Sequence, residues 1–101
     1  MSGHSFLMRA GVNSMAGARL GLIASRKASR RAVDRNRGKR QAREAFRAAR
    51  TVLPAVDVVL QLKNDLRGYG NRDLRKELDR LLRNLKSRYG EPAAITRSQA
   101  D

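Results

Sequence analysis

A chain of 101 residues and 11.3 kDa has room for one small domain, and 41% apolar residues give it a modest core, which excludes a wholly disordered chain. Lys and Arg number 23 against nine Asp and Glu, a formal net charge of +14 that repels itself and calls for a polyanionic partner. The absence of Cys and the single His4 exclude disulfides, thiolate zinc sites, cysteine nucleophiles, histidine metal clusters and Ser-His-Asp triads.

Ser5 to Ala10 (SFLMRA) is a short apolar run that reads as a first strand. Gly11 to Gly17 is rich in Gly, Asn and Ser and reads as a turn. Ala18 to Ser25 alternates as a second strand, with Leu20, Leu22 and Ala24 on one face and Gly21, Ile23 and Ser25 on the other. A helix is expected from about Arg31 to Arg50, where Ala42, Ala45, Phe46, Ala49 and Leu53 recur at helical spacing. Ser29 is a candidate N-cap. Gly38 weakens the middle of the helix by roughly 1 kcal/mol relative to Ala, and Pro54 stops it.

Val56 to Lys63 (VDVVLQLK) is the clearest strand, with Val56, Val58, Leu60 and Leu62 on one face. Asn71 is placed to cap a second helix, roughly Arg72 to Tyr89, striped by Leu74, Leu78, Leu81, Leu82 and Leu85. Asp73, Glu77 and Asp79 stand among Lys76, Arg80 and Arg83 at ion-pair spacing, expected as a solvated helix surface. Gly90 and Pro92 end the pattern, so residues 1–89 are expected to form one α/β domain and residues 90–101 a disordered tail. The order β-β-α-β-α implies an α+β fold, an α/β sandwich with a small three-stranded sheet and two helices.

The charge is concentrated. Residues 26–50 hold eleven Lys or Arg and two acids, Asp34 and Glu44, so a quarter of the chain carries most of the net charge. At about 100° per residue, Asn36, Arg40, Arg43 and Arg47 share one helical face, flanked by Lys39 and Arg50, beside the apolar seam. Eighteen of the 23 basic residues are Arg, whose planar fork binds phosphate bidentately and stacks on bases. Nucleic acid is therefore the expected partner. The nine acids form no visible carboxylate cluster of the kind a metal-dependent nuclease needs, so no catalytic and no metal-ligating residue is assigned.

The segment Arg26 to Arg47, RKASRRAVDRNRGKRQAREAFR, resembles the signature of the bacterial ribonuclease P protein component. That signature is a strand ending in a basic pair, a short loop, then R-N-R-x-K-R-x-x-R-E-x-F. It is matched by Arg26-Lys27, Ala32, Arg35-Asn36-Arg37, Lys39-Arg40, Arg43-Glu44 and Phe46. Arg19 to Leu22 upstream, and Leu53 to Asp57 with the leucine-striped helix downstream, fall where the family has them, so the resemblance spans roughly Ser5 to Tyr89. Two departures stand out: the chain starts almost at the first strand, so either the family's N-terminal helix is absent or this chain is a shortened form, and Lys63-Asn64 replaces a basic pair after the third strand.

The resemblance implies an α/β sandwich with a left-handed β-α-β crossover. It implies a subunit of ribonuclease P in which the RNA subunit and its Mg²⁺ ions remove the 5′ leader of precursor tRNA, the protein itself binding no cofactor. Arg35, Asn36, Arg37, Lys39, Arg40, Arg43 and Arg47, with Arg30 and Arg31 at the helix entrance, are the implied contacts to the catalytic RNA. Phe6, Met8, Ile23, Ser25, Arg26, Lys27 and Lys63 are the expected leader cleft, on the open face of the sheet. The expected partners are the ribonuclease P RNA and precursor tRNA, with no membrane and no obligate protein partner. No apolar run approaches the roughly 20 residues of a membrane span and no secretion signal opens the chain, so the expected compartment is the cytoplasm. A structural RNA-binding protein of ribosomal type, a self-contained nuclease and a nucleoid-type DNA binder are the alternatives.

Overall fold

The computed structural model describes residues 1–15 and 17–89. The expected tail, residues 90–101, lies outside them. The elements run β1 (Phe6–Val12), β2 (Arg19–Ile23), α1 (Ala32–Ala49), a short 3-10 turn (Arg50–Val52), β3 (Val56–Leu62) and α2 (Asn71–Tyr89). The sheet order is β1-β3-β2: β3 lies in the centre, antiparallel to β1 and parallel to β2. The α+β reading from the sequence holds.

β3 takes the centre because it is apolar enough to be covered. Val56, Val58, Leu60 and Leu62 are buried, while Asp57, Val59 and Gln61 are half-buried on the other face. The register sets Phe6 against Leu62 and Met8 against Leu60, and on the other side Leu20 against Val58 and Leu22 against Leu60. Because side chains alternate across a strand, this puts Phe6 and Met8 on the same face as Leu60. That face carries α1 and α2, through Ala42, Ala45 and Phe46 of one helix and Leu74, Leu78, Leu81, Leu82 and Leu85 of the other, in one buried cluster. The opposite face carries no helix among the described residues.

Several local expectations change. β1 runs two residues further, to Val12, because Gly11 and Val12 pair with Asp57 and Val56. Ser29 does not cap α1: Arg31 occupies that position without a side-chain bond, and the buried Ser29 hydroxyl donates instead to Asp65 at 3.1 Å. Asn71 is the first residue of α2 rather than its cap, since Leu74 N–H donates to the Gly70 carbonyl at 3.0 Å.

Gly38 has a packing reason that propensity hides. A Cβ there would sit 3.0 Å from Leu66 Cδ1 and 3.6 Å from Phe6 Cζ, so α1 lies close on the core at this point. Glu77 is not part of a solvated surface. It is 5% exposed, and its carboxylate accepts the N–H groups of Ser5 at 2.9 Å and Phe6 at 2.8 Å, and the Tyr69 hydroxyl at 3.4 Å. It thereby ties the start of β1 to α2.

Candidate nucleic-acid interface

α1 turns Asp34, Gly38, Ala42, Ala45 and Phe46 inward. The opposite side follows from the 3.6-residue period: Asn36, Arg40, Arg43 and Arg47 are all exposed and form one ridge. With half-buried Lys39, they make no hydrogen bond or ion pair to another described residue. Like charges at i+3 and i+4 repel along a helix, so the fold leaves this ridge electrostatically uncompensated. Val33, Asn36, Lys39, Arg40 and Arg43, with Arg37 at the edge, line a shallow depression of about 410 Å³.

The remaining residues of the arginine-rich motif are used within the fold. Arg37 lies about 100° round the helix from Asn36 and points toward α2. Its guanidinium donates to Asp34 Oδ1, to the Leu66 and Tyr69 carbonyls, both at 2.9 Å, and to Asn71 Oδ1 at 2.8 Å. Arg35 turns back, and its Nη1 donates to the Ser29 and Arg30 carbonyls at 2.9 and 2.7 Å. Arg31 Nε donates to Asp34 Oδ2 at 2.7 Å. Arg35, Arg37 and Arg31, expected as contacts to the catalytic RNA, are thus bonded within the fold around the entrance of α1, Arg31 while still exposed. Arg30 is exposed. The bond from Arg31, with those from Arg37, lowers the Asp34 pKa against the opposing effect of burial.

The open sheet face forms a second surface. Register puts Leu7, Gln61 and Ile23 in one row across it and Arg9, Val59 and Gly21 in the next. Ile23 is 47% exposed. Because β2 and β3 are parallel, the exposed Ser25, Arg26 and Lys27 after β2 and the exposed Lys63 after β3 emerge at the same end of the sheet. Phe6 and Met8 do not belong to this surface; they are 2% and 1% exposed in the core. Arg9 does belong to it and was missed. Its parity with Leu7, opposite to Met8, was the available signal. At the far end, Asp57 receives two Arg19 bonds at 2.8 Å and one from Asn13 at 2.9 Å, which hold its pKa at about 2.

Among the described residues no three Asp, Glu, His or Cys side chains converge into a possible metal site. No helix among the described residues is long and apolar enough to cross a membrane.

The chain is 44% identical over 75 residues to the ribonuclease P protein component of Thioalkalivibrio sulfidiphilus, covering 74% of this chain and 62% of that protein. It is 42% identical over 81 residues to that of Idiomarina loihiensis, covering 80% and 65%. The chain thus spans a little under two thirds of the length of these relatives. Its fold superposes on the RNase P protein of Thermotoga maritima, solved with 1-(4-fluorophenyl)-2-thiourea, at a TM-score of 0.70 with 29% identity over 81% of this chain and 80% of that one. The RNase P protein of Staphylococcus aureus shares the fold at a TM-score of 0.76 and 24% identity, over 85% of this chain and 79% of that one. The profile of the family described as Ribonuclease P matches residues 1–86, and the chain belongs to that family.

Proposed function

We propose that this chain is the protein subunit of a ribonuclease P holoenzyme, assisting Mg²⁺-dependent removal of the 5′ leader from precursor tRNA in the cytoplasm. The observation that carries the reading is the ridge of Asn36, Arg40, Arg43 and Arg47 on α1, exposed and neither hydrogen-bonded nor ion-paired to another described residue. A rigid helix holding three guanidinium groups at successive turns suits the closely spaced phosphates of a folded RNA, and Asn36 can bond a base edge or a ribose.

The open face of the sheet then takes the leader. Ile23 and Leu7 offer apolar contact to bases, while Arg9, Arg26, Lys27 and Lys63 offer phosphate contact, the combination that a single strand needs. Cleavage itself is assigned to the RNA subunit and the Mg²⁺ ions it holds. The protein's contribution is to lower phosphate repulsion between the two RNAs and to hold the leader in place.

Reconstitution tests the reading. Added to a bacterial ribonuclease P RNA at low Mg²⁺, the chain should stimulate cleavage of precursor tRNA at the mature 5′ end, and without that RNA it should cleave nothing. No stimulation would remove the chain from the holoenzyme. Accurate cleavage by the chain alone would move the chemistry into the protein.

A further inference from the structure

The acids are distributed so as to leave a second flank positive. Asp34, Asp57 and Asp65 are bonded within the fold, and Glu77 is buried. Glu44 of α1 and Asp79 of α2 are both within reach of Arg75, at 3.9 and 3.1 Å, so Asp79 is ion-paired although it stands beside the basic row. On the solvent face of α2, Arg72, Lys76, Arg80 and Arg83 are exposed at near-helical spacing, and none is hydrogen-bonded or ion-paired to another described residue. Asp73 is the one carboxylate beside them left without such a bond among the described residues.

An independent feature sits at the end of this row. A groove of about 520 Å³ is lined by Lys76, Arg80 and Arg83, by the rings of His4 and Tyr69, and by three acids, of which Glu77 is bonded within the fold, Asp79 is paired with Arg75 and Asp73 makes no such bond among the described residues. Their centroids are 4.9 Å apart and their planes tilted by 36°. The Tyr69 ring is held by its hydroxyl and the His4 backbone by its carbonyl. The Tyr69 hydroxyl donates to Glu77, itself anchored by the Ser5 and Phe6 N–H groups, and the His4 carbonyl accepts from the Asn64 side chain. A prepositioned ring costs little ordering on binding.

We propose that the outer flank of α2 is a second RNA surface, one that takes a single strand. Lys76, Arg80 and Arg83 engage successive phosphates, and a base at the end of the strand rests against the His4–Tyr69 pair. The dimensions agree. Seven residues of helix rise about 10 Å, and a stacked strand carries one phosphate per about 3.4 Å, so three cations span about three phosphates. A mere counter-ion surface needs no rings, and an acidic polypeptide offers no planar base to them; a nucleic-acid strand uses both. The flank is distinct from the α1 ridge and binds its strand whether or not the ridge is occupied.

The test uses the full chain with Arg40, Arg43 and Arg47 of the ridge and Arg9, Arg26, Lys27 and Lys63 of the open sheet face replaced by Gln, titrated with fluorescein-labelled octauridylate at several salt concentrations. This silenced protein should still bind. Adding Lys76→Gln, Arg80→Gln and Arg83→Gln should weaken binding at least tenfold and flatten the log K against log salt slope by about 2. His4→Ala alone should weaken it roughly fivefold with the slope unchanged, as expected for lost stacking. Unchanged affinity in the flank triple variant overturns the proposal. So does an unaffected His4→Ala, and so does equal competition by polyglutamate or inorganic polyphosphate at matched charge, which would leave only a diffuse positive surface.

Discussion

Arg37 Nη2 lies 3.0 Å from Oδ1 of Asp34, one turn back on α1, and the same guanidinium reaches across to the carbonyls of Leu66 and Tyr69. One side chain therefore bonds a buried carboxylate in its own helix and the loop that leads into α2. Arg37→Lys keeps the charge but loses the planar fork. It should lower the melting temperature by roughly 10 °C, since about 2 kcal/mol moves a domain of this size by that much, while leaving the salt slope of RNA binding unchanged. Thermal denaturation beside salt-dependent titration separates the two effects.

The ridge should behave in the opposite way. Arg40→Ala combined with Arg43→Ala removes two exposed cations that bond nothing among the described residues. Binding to ribonuclease P RNA should weaken, and its salt slope should fall by roughly two units, with the melting temperature nearly unchanged. An unaltered slope would take both side chains out of the interface.

Gly38→Ala should destabilise, although Ala is the better helix former by about 1 kcal/mol. The new methyl would meet Leu66 Cδ1 at 3.0 Å, and Leu66 is fully buried with little room to yield. Overpacking of this kind costs roughly 1–3 kcal/mol, so the net loss should be about 1 kcal/mol by urea denaturation. A gain in stability would show that the core relaxes there.

Glu77→Gln exchanges one acceptor oxygen for an amide donor in front of the Ser5 and Phe6 N–H groups. Both N–H groups share Oε2, so the amide carbonyl can still accept them, but the charge assistance is lost, which should cost about 1 kcal/mol. Amide hydrogen exchange should show the loss first at the start of β1, with α1 and the centre of β3 still protected.

Asp57 gives the acid limb of the stability curve a definite sign. Its folded pKa of about 2 lies below the ordinary 3.8, through the bonds from Arg19 and Asn13. The unfolded chain therefore binds more protons between those values, and stability falls as pH drops from about 4 to 2. The melting temperatures of the native chain and Asp57→Asn should differ above pH 5 and converge as pH approaches 2.

Much of the architecture was legible in the sequence because the periods are clean. The alternation from Val56 to Leu62 and the leucine stripe from Leu74 to Leu85 each have a single reading, and both elements appear where expected. β1 was ambiguous for a physical reason: Phe6, Leu7 and Met8 are all apolar, so alternation cannot say which side is buried. Only pairing with Leu60 and Leu62 decides it. The candidate site divides similarly. Helical geometry alone grouped Asn36, Arg40, Arg43 and Arg47 and left Arg37 aside; the motif added Arg37 and Arg35, and their intramolecular bonds show why geometry separated them. The Glu77 anchor joins groups more than 70 positions apart, a distance no local pattern spans.

β1 and β2 never touch each other as partners; each is joined to the sheet only through β3. During synthesis, at roughly 5–20 residues per second, both early strands and the whole arginine-rich helix therefore emerge before their shared template exists. For those first seconds the nascent chain is a cationic polymer on the ribosome, itself mostly RNA, and its assembly into a sheet waits on the translation of Val56 to Leu62.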